Sequence, residues 1–322
     1  MILSSENNTV ALTTFFNKHN ILLENEVVKA IEIPGEGNMN VVLRIITNTR
    51  TFIAKQSRPF VQKYQDIPAP IDRISVEHQF YKNIDKGSIN RSFPKPLHFI
   101  PEHHMLIIED LGYGDDMTSI YATRNISDKT TETLTQIASG IHSTSISKAF
   151  PENLELRKLN HQHIFVLPFL ADNGFSLNSV QNGLLELAQP IKDHSSLKEN
   201  ITNLGNLYLK TGGVLLHGDY YPGSWLQQNK NVFVLDPEFS FMGPAEFDLG
   251  VMIAHLVMAT GKKTMFNKVI DNYNLPINTT LVKAFAGSEI IRRIIGLAQL
   301  PLQRTIKEKQ QLLNLATTWV LN

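Results

Sequence analysis

The sequence predicts an α+β protein in two lobes, a small antiparallel β lobe over residues 1–111 and a larger, mainly helical one over 112–322. Two observations carry that expectation. Between residues 27 and 109, short apolar runs of period two are separated by turn residues; beyond Gly114 the period changes to that of helices. A third observation marks where the second lobe concentrates its polar chemistry. Two short apolar runs, 214–216 and 232–235, are each followed closely by acidic residues, Asp219 after the first and Asp236 and Glu238 after the second.

Each element has its own justification. Residues 13–22 space their apolar positions as a helix. Residues 27–33 and 41–47 alternate as strands, joined by Pro34-Gly35-Glu36-Gly37-Asn38-Met39-Asn40. Asn48-Thr49-Arg50 turns the chain into a third strand, 51–56, which carries Lys55. Residues 74–85 are periodic at helical spacing and place Glu77 in their first turn. Residues 98–109 read as two strands about a Pro-Glu-His-His turn, and Glu109-Asp110-Leu111-Gly112 becomes the connection between lobes, with Gly112 and Gly114 giving it conformational freedom. Beyond it, 130–145, 177–191 and 197–211 read as helices, whereas 150–174 reads as irregular. Gly212-Gly213 ends the third of these helices. Residues 239–245 read as a loop, 246–259 as a buried helix, and 276–300 and 306–320 as the last two helices.

Lys plus Arg and Asp plus Glu both number 30. No basic excess points to nucleic acid. The absence of cysteine removes disulfides and thiolate chemistry. The first residues lack a basic segment followed by an apolar one, and no apolar run approaches 18 residues, so neither a signal peptide nor a membrane span is expected. A cytoplasmic protein is the expectation. The oligomeric state stays open, a homodimer included.

Short buried strands that deliver carboxylates at their C-terminal ends suit phosphoryl transfer, in which one carboxylate faces the attacking hydroxyl and others hold Mg²⁺. Asp236 and Glu238 stand two apart, so on an extended backbone both point the same way, and Pro237 ends the strand at its rim. Mg²⁺ takes oxygen ligands together with substrate phosphates. Asp219 would aim at the acceptor. With an ordinary pKa near ~3.9 it is a poor base, but a loose transition state needs it mainly to orient the nucleophile. Counting five residues on, where protein kinases carry a metal-binding Asn, reaches Ser224. A glycine-containing loop can lay backbone N–H groups over phosphates, which makes Gly35, Gly37, Asn38 and Asn40 candidates for the nucleotide. Lys55 on the third strand would grip phosphates with Glu77 as its partner. The backbone at Glu109 and Leu111 would meet the adenine edge.

The run HGDYYPGSW followed by DPEFSFMGPAEFDLG resembles the methylthioribose kinase branch of the aminoglycoside-phosphotransferase and choline-kinase-like superfamily. So do GEGNMNVVLRI, FIAKQ, DRISVEHQFY and, near the C-terminus, GSEIIRRIIGLAQ. The likeness runs from Gly35 to about Gln299. It implies a two-lobed protein-kinase-like fold, ATP and Mg²⁺ as cofactors, and a small hydroxylated metabolite as partner. It also implies a structural role for His217, a loop-bracing role for Asp248, and substrate contacts by Arg292 and Arg293. Those kinases carry Leu-His-Thr where this chain has Tyr220-Tyr221-Pro222, and a smaller aliphatic residue at Trp225. Tyr220, Tyr221 and Trp225 are therefore read as packing on an apolar substituent or a sugar ring. Rival readings are a kinase for a choline-like cation, where aromatics give cation–π contacts, an antibiotic phosphotransferase, and a nucleotide-binding scaffold without catalysis.

Overall fold

The computed structural model describes residues 1–35, 39–84, 89–146 and 149–322. Gly37 and Asn38, two candidates for the phosphate loop, lie outside the described residues. The chain divides into two compact units, Met1–Gly114 with Leu235–Phe239, and Asp115–Val234 with Ser240–Asn322.

In the first unit, helix α1 (Thr9–Lys18) precedes β1 (Val28–Glu32), β2 (Val41–Thr47) and β3 (Thr51–Gln56). A short hairpin that the sequence reading did not anticipate, β4 (Phe60–Val61) and β5 (Tyr64–Pro68), leads to α2 (Arg73–Ile84), β6 (Pro96–Ile100) and β7 (Met105–Glu109). Five strands form one antiparallel sheet in the order β1-β2-β3-β7-β6. Alternation along β2 and β3 sends Leu43, Ile45, Phe52 and Ala54 to the face where Leu12, Phe15 and Phe16 of α1 pack. Both ends of α1 are closed: the Asn8 side chain accepts from the N–H groups of Val10 and Ala11, and the His19 N–H caps the C-terminus.

The second unit opens with β8 (Asp115–Asp116) and the helices α3 (Ile120–Thr123), α4 (Asp128–His142) and α5 (Leu154–His161). Residues 150–174 are thus not irregular. They hold α5, a π-type turn over Gln162–Val166 and a 3₁₀ turn over Leu167–Phe169. The helix read over 177–191 is two, α6 (Leu177–Val180) and α7 (Leu184–Asp193), broken at Gly183 with φ 84°. Then come α8 (Ser195–Tyr208), β9 (Val214–Leu216), β10 (Trp225–Gln228), β11 (Asn231–Val234) and β12 (Phe241–Gly243). The strand β12 falls in what reads as a loop and pairs antiparallel with β9, while β10 joins β11 and β8. Last are α9 (Ala245–Thr260), α10 (Met265–Asn272), α11 (Thr279–Ile295) and α12 (Ile306–Leu321).

Helix α9 is apolar nearly all round and correspondingly buried all round. It packs closely on α11. A Cβ added at Gly250 would meet the Ala286 nitrogen at 2.9 Å and the Phe285 Cβ at 2.6 Å, so only glycine permits this approach. Among the described residues no helix is long and apolar enough to cross a membrane.

Candidate active site

In the first unit, three elements converge on buried charge. Lys55, 2% exposed on β3, has its Nζ 2.6 Å from Glu77 Oε1 on α2 and 2.5 Å from Asp236 Oδ1. Burial works against the ammonium, but Asp236, Glu77 and Glu238 outweigh it and hold Lys55 charged, above its ordinary range. The Glu77 partnership expected from sequence is present.

Asp236 does not continue a strand. The last strand residue is Val234, Asp236 has φ 60°, and Pro237–Phe239 is a 3₁₀ turn. The period-two argument for Asp236 and Glu238 therefore fails, because the backbone between them is not extended. A left-handed non-glycine residue is a small store of strain, and Asp tolerates it better than most. The Asp236 N–H donates to the Tyr81 hydroxyl at 3.3 Å, and about half of its side chain reaches solvent.

Glu238 is enclosed. Arg73, fully buried at the start of α2, brings its Nε to 3.1 Å from Glu238 Oε2, and Asn40 Nδ2 donates to the same oxygen at 3.0 Å. The other Arg73 nitrogens donate to the carbonyls of Arg58, Pro70 and Met39. Arg73 thereby ties Glu238 to the chain beside the glycine-containing loop, a role that no sequence feature advertised beyond an arginine at a helix start. Burial pushes the Glu238 carboxyl up to about 8 against the pull of Arg73 and Lys55. A buried carboxylate so raised favours added positive charge, and with the half-exposed Asp236 it forms a donor set of hard oxygens that fits Mg²⁺.

The connection after β7 is also fixed. Arg44 grips Asp110 with two parallel bonds of 2.8 and 3.0 Å and donates to the Gly112 carbonyl at 2.8 Å, while Gly112 takes φ 86°. Glu109 pairs back to Lys95 through its N–H at 2.9 Å.

In the second unit, the loop after β9 turns at Gly218, φ 84°, to present Asp219. Asp248, fully buried on α9, accepts from the His217 N–H at 2.7 Å and the Gly218 N–H at 3.0 Å. It braces the loop, as the resemblance implied, rather than capping its own helix. His142 reinforces it: Nε2 lies 3.3 Å from Asp248 Oδ2, and the Tyr273 hydroxyl is 2.8 Å from Nδ1. The tautomer that satisfies both donates from Nε2 and accepts at Nδ1. Ser224 donates to the Asp219 carbonyl at 2.9 Å and closes the loop on itself.

Asp219 retains about a quarter of its side-chain exposure, and burial pushes its carboxyl up to about 6, opposed by Arg293 and Arg292. Arg293 Nη2 lies 4.0 Å from Asp219 Oδ1, and its guanidinium stands 5.0 Å over the Tyr221 ring. The arginine pair is not a solvated face. Both residues are 8% exposed, and both are held by Glu289, which receives Arg292 Nη1 at 2.9 Å, Arg293 Nε at 2.6 Å and His255 Nε2 at 3.1 Å. Burial opposes the Glu289 charge, but the two guanidinium groups keep its carboxyl well below the usual range. His255, lowered to about 4 by burial, is neutral and takes the Tyr121 hydroxyl on Nδ1 at 2.5 Å. Glu289 was not among the residues singled out, although its place three and four residues before the arginines is the spacing of helical ion pairs.

Two aromatic assignments are corrected. Tyr220 and Trp225 are fully buried, stacked edge-on at 5.6 Å, and the Tyr220 hydroxyl donates to the Leu134 carbonyl at 2.7 Å. Their faces belong to the core and not to a ligand wall. Tyr221 alone of the three is partly exposed and faces the arginine cluster. A Cβ at Gly223 would strike its hydroxyl at 2.4 Å.

Comparison with known proteins agrees with this chemistry. A methylthioribose kinase from Exiguobacterium sibiricum is 28% identical, over 86% of this chain and 82% of its own length, and one from Bacillus velezensis is 26% identical, over 89% and 85%. A spectinomycin phosphotransferase solved with ADP and spectinomycin shares the fold, with a TM-score of 0.54, 12% identity and 98% of each chain covered. So does a choline kinase from Cryptosporidium parvum, with a TM-score of 0.54, 13% identity, and 98% of this chain and 94% of that one covered. The phosphotransferase enzyme family matches residues 30–273, well over half of the sequence, and the chain belongs to that family as a small-molecule kinase.

Proposed function

We propose that the enzyme transfers the γ-phosphoryl group of ATP, with Mg²⁺, to a hydroxyl of a small sugar-like metabolite, methylthioribose being the best single candidate. The observation that carries the acceptor class is the burial of Arg292 and Arg293 on one shared carboxylate beside Asp219. Two rigid forks of donors suit an acceptor with several hydroxyls and oppose a cation such as choline or an aminoglycoside. The relatives named methylthioribose kinase support the same choice.

Each residue then has a task. Lys55, oriented by Glu77, holds the phosphates, and the backbone of Gly35 covers them, while Glu109 and Leu111 present main-chain groups to the adenine. Asp236 and Glu238 hold the magnesium, with Asn40 and Arg73 fixing Glu238, while the Ser224 hydroxyl closes the Asp219 loop. Bound there, Mg²⁺ neutralises charge on the phosphate oxygens. The acceptor oxygen attacks the γ-phosphorus, the bond to the bridging oxygen of ADP breaks, and the acceptor proton passes late to Asp219. Asp248 and His217 keep Asp219 in place, and Tyr221 packs on the sugar or its apolar substituent.

The test is ATP consumption across small hydroxylated compounds, with methylthioribose, choline and an aminoglycoside included and products identified by mass. A sugar-like acceptor should give the highest kcat/KM. Faster turnover of choline or an aminoglycoside than of any sugar would overturn the acceptor class and leave the kinase assignment standing.

A further inference from the structure

Outside the residues assigned above, the first unit carries a set of donors of a different kind. His19 caps the C-terminus of α1, and Glu102 and His103 lie in the 3₁₀ turn between β6 and β7. One ligand atom from each of the three lies within 4.8 Å of the others. His19 Nδ1 is 3.7 Å from Glu102 Oε1, and the two imidazoles meet edge-to-face at 5.4 Å. Phe15 packs on both rings, at 4.5 and 5.0 Å, and holds them together from the apolar side.

We propose that His19, Glu102 and His103 form a binding site for a borderline divalent ion of the zinc type, with water completing the shell. Two imidazoles and one carboxylate are a donor set seen at three-ligand zinc sites, and imidazole selects against Mg²⁺. At ligand distances of about 2.0–2.1 Å, neighbouring donors of a tetrahedron stand roughly 3.3 Å apart. The His19–Glu102 pair is close to that already. The remaining closure falls to Glu102, whose side chain is 60% exposed and free to turn. The Met1 nitrogen lies 3.3 Å from His103 Nδ1, and a bound ion takes that place. Because Phe15 and Phe16 of α1 sit in the same core as Ile100 and Met105, an ion here clips the helix end to the β6–β7 turn of the sheet it covers. This inference does not rest on the kinase reading.

The experiment is calorimetric titration of Zn²⁺ into the chelator-treated, full-length protein, without nucleotide and in excess Mg²⁺, alongside thermal unfolding. Saturable binding of one Zn²⁺ per chain is expected, with a rise in Tm of roughly 5 °C at about 100 times Kd. His103→Gln, at a half-buried position whose folding the thermal unfolding of the ion-free variant checks, should weaken binding by more than about tenfold, and Glu102→Gln, at an exposed one, by a smaller factor. Mg²⁺-supported turnover should be the same in both variants. Absence of saturable binding to the wild-type chain would overturn the site, and so would undiminished affinity in His103→Gln.

Discussion

Glu289→Gln is the substitution that most directly separates positioning from mere packing in the second unit. The carboxylate is 1% exposed and takes three donors, at 2.9 Å from Arg292, 2.6 Å from Arg293 and 3.1 Å from His255. Glutamine keeps the shape and one acceptor oxygen but removes the charge, leaving two buried guanidinium groups with Asp219 as the nearest remaining carboxylate partner of Arg293. Breaking a buried ion pair in this way typically costs about 3–5 kcal/mol, which for a unit of this size is a fall in Tm on the order of 10 °C. A purely structural Glu289 would stop there. If it positions the arginines, a released Arg293 closes on Asp219 and withdraws both from the acceptor. Steady-state kinetics well below the new Tm should then show kcat lower by on the order of 10², a raised acceptor KM and an unchanged ATP KM, because Lys55, Glu77 and Asp236 are untouched. A variant that loses stability while keeping kcat and acceptor KM within about twofold would refute the positioning role. One that changes neither would refute the network itself.

Three other outcomes follow from the same geometry. Asp219→Asn should lower kcat by about 10²–10⁴ while nucleotide affinity measured by calorimetry stays the same. If the deprotonated form of Asp219 accepts the proton, then with its carboxyl pushed up to about 6, kcat/KM for the acceptor should be present above that pH and fall as pH drops through it. Arg293 holds that value down, so Arg293→Gln should move the acid limb of the profile upward; a limb that stays put or moves down would contradict the pairing. Asp236→Asn should raise the Mg²⁺ requirement in a nucleotide-binding titration with little change in Tm, and the reverse pattern would mark Asp236 as structural.

Much of the scaffold was legible because its signals are local. Strands at 41–47, 51–56 and 214–216 keep uninterrupted apolar runs bracketed by turn residues, and their limits match those read from the sequence. Helix α5 was hidden for an equally local reason: it is only 8 residues long and runs directly into the π-type turn over Gln162–Val166, which blurs the helical period. The carboxylate segment misled in another way. Proline after Asp236 suggested a strand end, whereas the backbone had already left the strand and turned left-handed at Asp236. At Tyr220 and Trp225, aromatic residues beside a catalytic motif were given to the ligand, although large aromatics find most of their free energy in a packed core. Arg73 and His142 carry no local mark of their roles, since their partners, Glu238 and Asp248, lie far along the chain. Contacts at such separation are a property of the fold, and one sequence does not show them.

The passage of Leu235–Phe239 into the first unit has a consequence for how this protein can be cut and recombined. A fragment ending at Gly114 would carry Lys55 without Asp236, and a fully buried Arg73 without Glu238. Lys55 would keep Glu77 but lose its second carboxylate, and the buried Arg73 would lose Glu238, because both of those anions lie more than a hundred residues downstream. The first unit is therefore not a portable cassette. Any exchange of lobes between relatives has to carry the distant pentapeptide along with the first 114 residues, and lineages that swap one without the other should leave no folded descendants.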